Sequence, residues 1–342
     1  MKGGTKVHKR LEEEVYTTVK VDISKREDAF GLKVWNIIQG LRTLRDTGMT
    51  RELEIWGMVN GQVVNGVIDG LTYENPDPEF EKEARSSNEG KKQQKITSYF
   101  GGGGGEEEEH DRQVYLLDVK TRATATLPSG AAVRPSKMQL FLYRRFLANM
   151  AAGKLDLLRV FRRYGLDLDE VFSDSFLAQI AQLHEEVMVT DQDSSSDTSS
   201  QSLRYVSLRE LLPLLRYEIR LTFPHGAESI GRLVMIEYRQ RAPPPPKDGD
   251  PVSDPDPDKS DDGGGRVIGA NVFYVDDELL DEYLASDMEW WQGVRPPSGV
   301  AIEEAYKCRS CEFAPICEWR QGQEVELAQR ARDKSAAASK KD

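Results

Sequence analysis

The chain has 342 residues, 30% of them charged, and its 58 Asp and Glu outnumber its 46 Lys and Arg to leave a formal net charge of −12. At face value that acidity weighs against a nucleic-acid partner, because backbone binding is mostly attraction of Lys and Arg to phosphate. No apolar run approaches the ~18 residues of a membrane span and no signal or transit peptide is visible, so a soluble chain with a sizeable core is expected.

Thr5–Val19 carries Val7, Leu11, Val15 and Val19 at four-residue spacing, which predicts an amphipathic helix. Asp28–Arg45 predicts a second helix, with Phe30, Trp35, Ile38, Leu41 and Leu44 available for a core. Leu53–Val59 and Val63–Leu71 are apolar strands around Asn60-Gly61, a strong hairpin turn signal. Gln113–Lys120 reads as a third strand, and Ser136–Ala152 as a helix closed by Gly153. Helices follow at 155–164, 167–187 and 207–222. Strands 232–240 and 266–275 predict a late hairpin, and a helix at 277–292 precedes a cysteine-bearing segment. This order predicts an α/β (α+β) fold with a small central mixed sheet flanked by helices.

Three stretches bury too little apolar area to offset the entropy of ordering, and are expected to be disordered inserts within one domain rather than linkers between several. They are Asp77–Asp111, Asp191–Ser202 and Pro243–Gly265, and the basic tail 328–342 reads the same way. The inserts carry net charges of −5, −3 and −5, so together they account for the whole acidity of the chain. The patterned remainder is nearly neutral, with clustered Arg at Arg144-Arg145 and Arg162-Arg163, and can present a basic channel. Net charge therefore does not exclude DNA.

Two strands end on carboxylates, in Ile68-Asp69-Gly70 and in Leu117-Asp118-Val119-Lys120. Asp118 and Lys120, two apart on a strand, share a face. A Lys beside two carboxylates suits hydrolysis of a phosphodiester with Mg²⁺, which takes hard oxygen ligands and lowers the pKa of a bound water. Gln139 and Tyr143 share a face of the following helix. His8 is a competent metal ligand on the first helix. By itself each of these also reads as an ordinary turn, ion pair, solvated Gln or surface His. The three Cys, Cys308, Cys311 and Cys317, form C-x2-C-x5-C within ten residues of an otherwise Cys-free chain, which reads as metal ligation by zinc or an iron–sulfur cluster.

At these residues the chain resembles the exonuclease V family, in the RecB-type branch of the PD-(D/E)XK nucleases. The matching pieces are Gly3–His8 with Leu11-Glu12, Gly66–Gly70, Asp118–Arg122, Gln139 to Tyr143, and Gly299–Arg320, in the family's order. The resemblance implies a single nuclease domain over 1–327, with His8, Asp69 and Asp118 holding Mg²⁺ and Asp69, Asp118, Lys120, Gln139 and Tyr143 catalytic. It implies a [4Fe–4S] cluster on the segment 299–320, and single-stranded DNA degraded from a 5′ end. It also implies a mitochondrial or nuclear role in replication, recombination or repair. Asp118 stands where many relatives carry Glu. The family's first cluster Cys lies upstream of the His-bearing helix and has no counterpart here, so the expectation is an N-terminally truncated chain whose cluster is incomplete.

Arg122, Arg134 and Lys137 are placed to meet phosphates. Trp290 and Trp291 can stack on unpaired bases, and Trp319 is expected beside the cluster. The chain is expected to be a monomer without membrane contact. A nuclease-like module that grips single strands without cutting, and a zinc-stabilised structural protein, are the competing readings.

Overall fold

Strands β1 (Met49–Val59) and β2 (Gln62–Thr72) form a long antiparallel hairpin, and β3 (Val114–Arg122) adds antiparallel to β2. Strand β4 (Ile230–Gln240) then runs parallel to β3, and β5 (Val267–Tyr274) closes the sheet antiparallel to β4. The sheet order is β1-β2-β3-β4-β5, so the expected small mixed sheet is present. This computed structural model describes residues 7–8, 10–11, 21–89, 112–128, 130–180, 205–240, 265–296 and 298–338.

The helices are α1 (Arg26–Thr47), α2 (Pro78–Glu89), α3 (Arg134–Ala151), α4 (Leu157–Tyr164), α5 (Leu208–Thr222), α6 (Asp277–Trp291) and α7 (Glu318–Ala338). Asp28 starts α1: its carboxylate accepts from the backbone N–H of Ser24 and Lys25, and from the N–H and hydroxyl of Ser173. This satisfies donors that a helix start leaves open. Gly48, at φ 83°, ends the helix in the left-handed conformation that glycine adopts without strain.

The buried face of α1 sets Val34, Ile38, Leu41 and Leu44 into the core, and Phe30 stacks on Trp56 of β1 at 5.2 Å. Helix α5 lies beside α1. Buried Glu218 accepts from Arg42 at 2.7 and 2.9 Å and from Arg45 at 2.5 Å, so the carboxylate is not left uncompensated. Helix α3 crosses the sheet where glycine admits it: a Cβ on Gly57 would lie 1.9 Å from the Phe146 ring.

Three expectations need correction. Residues 78–89, inside the stretch expected to be disordered, are helix α2. Asp77 accepts from the Phe80 N–H at 2.9 Å, and buried Glu81 accepts from Tyr115 at 3.1 Å and Asn75 at 2.7 Å. The expected helix 167–187 is helical only over 174–180 among its described residues. Its first part is irregular instead, with Val171 bridging Ser207 and its carbonyl taking the Lys25 ammonium. The basic tail is helical as far as Ala338, supported by pairs such as Arg330–Glu326 one turn apart. Residues 90–111, 191–202 and 243–264, and most of the first expected helix, lie outside the described residues; of that helix, Val7, His8, Arg10 and Leu11 are helical.

The chain divides into two compact units. The first, Met1–Leu127 with Ser136–Leu280, holds the whole sheet; the second, Pro128–Pro135 with Asp281–Asp342, holds the cysteine segment and α7. No described helix is long and apolar enough to cross a membrane.

Candidate metal centre

The hairpin sets the register of the site. Asn60 and Gly61, at φ 45° and 77°, make the two-residue turn that follows strand twist, and Val59 pairs with Gln62. Counting back, Arg51 pairs with Gly70 and Leu53 with Ile68, which sets Glu52 opposite Asp69. The ladder skips that pair, and Glu52 stands at φ 51°, uncommon for a non-glycine residue. On the other side of β2 the last ladder pair is Gly70 with Leu117, so the next position sets Asp118 opposite Asp69. Asp69 breaks from that ladder too, and its Oδ2 accepts the Val119 N–H at 2.8 Å. Three carboxylate residues from three neighbouring strands thus form one row, where both ladders open.

His8 is brought to this row by its neighbours Val7 and Leu11, which pack on Leu117, Val119 and Met235. Its Nδ1 lies 3.4 Å from Glu52 Oε1 and 3.7 Å from Asp69 Oδ2. Among the described residues, His8, Glu52 and Asp69 are a set whose ligand atoms come within 4.8 Å of one another, the spacing one metal ion can bridge. Lys120 Nζ donates to Asp118 Oδ1 at 2.7 Å, and Asp118 Oδ2 is buried with no hydrogen-bond partner.

The charged groups of the row shift one another's ionisation. Burial, and next the Asp118 charge, push the Asp69 carboxyl up from the ordinary 3.8 to about 6; the Val119 N–H, His8 and Lys120 pull the other way. The hydrogen bond to Glu52 holds His8 above the usual histidine range against its partial burial, with help from Asp69. An orphaned buried carboxylate oxygen, a second carboxyl that ionises reluctantly, and an imidazole between two acids are a donor set that a divalent cation satisfies.

Tyr143 of α3 packs on β2 three residues before Asp69, because Gly66 has no side chain: a Cβ there would lie 2.3 Å from the Tyr143 hydroxyl. Gln139 Nε2 donates to that hydroxyl at 3.2 Å, one helical turn away. Arg122 shares the β3 face with Asp118 and Lys120, and its Nε is buried without a hydrogen-bond partner. Lys137 is placed differently from expectation: its ammonium sits 5.2 Å from the rings of both Phe141 and Phe273, a cation–π clamp. Arg134 is exposed in the second unit, near Glu304, Lys307 and Tyr283.

Cys308, Cys311 and Cys317 are also in the second unit, all free thiols, Cys311 exposed and the others partly so. Among the described residues they do not gather within the reach of a single ion. A four-iron cluster spreads its thiolates farther apart, and three soft donors match three of the four ligands it takes. Trp319, expected beside that segment's metal, lies over Gly299 of the same unit, where a Cβ would sit 1.6 Å from its ring.

Reading the chain alone missed Glu52. The signal was present: a two-residue turn at Asn60-Gly61 fixes by counting that residue 52 faces residue 69. It also left the role of Gly66 unread, since the ring that needs the space lies 77 residues further on.

A family model described as "Exonuclease V - a 5' deoxyribonuclease" matches residues 1–320. A curated protein of Danio rerio named "Exonuclease V" is 25% identical over 317 residues, 93% of this chain. The chain spans 61% of the length of that relative.

Proposed function

The chain belongs to the exonuclease V family, and from that premise we propose that it is a metal-dependent exodeoxyribonuclease acting on single-stranded DNA from its 5′ end. The row of Asp69 and Asp118, with Lys120 on the shared face and one buried carboxylate oxygen unpaired, is the observation that carries the reading.

His8, Asp69 and Asp118 would hold Mg²⁺, with the Val119 carbonyl as a further oxygen ligand. When bound, the cation supplies a Lewis acid for the phosphate and lowers the pKa of a water. Lys120 positions that water or steadies charge developing on the phosphate; its present ion pair with Asp118 holds it in place. Asp118 keeps one oxygen on Lys120 and leaves the other for the cation. Tyr143, held by Gln139 and by the gap at Gly66, orients a group at the edge of the site. Arg122, on the same strand face, is the basic residue best placed to meet a phosphate.

In the second unit, Cys308, Cys311 and Cys317 would supply three thiolates to a [4Fe–4S] cluster, whose chemistry there is a covalent cross-brace of a short irregular segment. Iron and acid-labile sulfide in equal amounts in the purified chain support this; zinc in their place overturns it. A role in replication, recombination or repair of mitochondrial or nuclear DNA, by a monomer, is proposed on the family resemblance alone.

The test is digestion of single strands labelled at either end, with Mg²⁺ and with EDTA. Mg²⁺-dependent loss of nucleotides from the 5′ end, abolished by Asp118→Ala, is expected. Retained activity in that variant overturns the assignment. Binding without cleavage by the unaltered chain points to a module that grips DNA and does not cut.

A further inference from the structure

We propose that Glu52 is a direct ligand of the divalent cation, completing a four-residue set with His8, Asp69 and Asp118. This rests on the proposed metal-dependent function and extends it by a residue that no motif marks.

Glu52 is opposite Asp69 on β1 just as Asp118 is opposite it on β3, so the strands converge three carboxylates on one row. Its Oε1 and Asp69 Oδ2 both approach the same nitrogen of His8, at 3.4 and 3.7 Å, and the three side chains offer ligand atoms within 4.8 Å of one another. A single proton on that nitrogen can serve only one good hydrogen bond. A cation in its place serves every donor of the set. Asp118 adds an independent sign, being about nineteen-twentieths buried with Oδ2 unpaired. A purely structural acid row has no reason to keep such an atom dry and unsatisfied.

The backbone is arranged at some cost to the fold. At φ 51° Glu52 gives up its ladder pairing with Asp69 in mid-hairpin, where pairing resumes at once with Leu53 and Ile68. A glycine or asparagine would fit that conformation better, so the carboxylate is what the position holds on to. An alternative is that Glu52 only orients His8 through the hydrogen bond at 3.4 Å. The two roles separate in a double-mutant cycle.

The experiment is Mn²⁺ binding to the full chain, read by loss of the free-ion electron paramagnetic resonance signal. Compared are the unaltered protein, Glu52→Gln, His8→Ala, their double variant, and Asp69→Asn. Glu52→Gln is expected to weaken Mn²⁺ affinity by about tenfold or more, a size typical of disturbing a metal site. It should weaken it by a similar further factor in the His8→Ala background. Glu52→Gly, which suits the left-handed backbone, guards against misfolding: it should melt no lower than the unaltered protein in EDTA while losing the same affinity. Unchanged affinity in both Glu52 variants overturns the proposal, as does an effect that vanishes without His8. If Asp69→Asn abolishes binding while the Glu52 variants do not, the functional reading stands and only this ligand is lost. If the unaltered chain binds no Mn²⁺, both fall together.

Discussion

Asp69 shows how much one side chain owes to its place. The same residue type at an exposed turn would titrate near 3.8, yet burial and the facing Asp118 hold it at about 6. Two outcomes follow at this scale. Because the folded chain favours the neutral acid, the stability this group contributes is present below pH 4 and is lost as pH climbs through about 6. Metal-free protein should therefore lose thermal stability over that window, and Asp69→Asn should flatten the profile in pH-dependent melting. For the same reason Mn²⁺ must displace a proton below pH 6, so calorimetric affinity should rise from pH 5 to 7. Asp118→Asn should raise the melting temperature in EDTA, by removing a buried charge with an unpaired oxygen, while abolishing cleavage. A variant that melts lower and still cuts would contradict the account of both atoms. Asp69, Asp118 and Lys120 were readable as chemistry because carboxylates at the ends of apolar strands break a pattern. Glu52 was not, because its strand neighbours Arg51 and Glu54 are charged as well.

Elements were legible where periodicity or turn chemistry acts locally. The hairpin at Asn60-Gly61, the strands of the late hairpin and the long helices α1, α3 and α6 lie within a few residues of expectation. Helix α2 was missed because part of what holds it is not local: buried Glu81 is bound by Tyr115, 34 residues later. Residues 167–173 were misread as helix for the same reason, since Ser173 is bound by Asp28 across 145 residues. Asp28 is thus a joint between elements. Burial works against its ionisation, but hydrogen bonds from Ser173, Lys25 and Ser24 outweigh it and hold the carboxyl below its ordinary range. Asp28→Ala should cost about 1–3 kcal/mol in urea unfolding, as expected for leaving buried donors unsatisfied. Gly66→Ala tests another joint. Its methyl would meet the Tyr143 ring, so overpacking of about 1–3 kcal/mol and a loss of nuclease turnover are expected together. Normal turnover in that variant would show that the placement of Tyr143 is unimportant.

At the scale of the molecule, the net charge of −12 says little about the sheet, since most of the acidity lies in stretches of sequence outside its five strands. On the proposed metal-dependent reading, the cation would bear on the whole first unit. A ligand that binds only the folded state at 100 times its dissociation constant adds about 2.7 kcal/mol. For a unit of this size that corresponds to a rise of about 5–10 °C in melting temperature. Mn²⁺ should produce such a shift, EDTA should reverse it, and Asp69→Asn should show none. The row of acids has a further consequence, for the order in which the molecule is made. Its three carboxylates come from β1, β2 and β3, all within residues 49–122, whereas β4, the parallel neighbour of β3, begins at Ile230. A chain emerging from the ribosome can therefore bring its like charges face to face long before the strand that backs them exists. Counter-ions in the cell would meet a half-built site first, and the late strand would then close behind an occupied one.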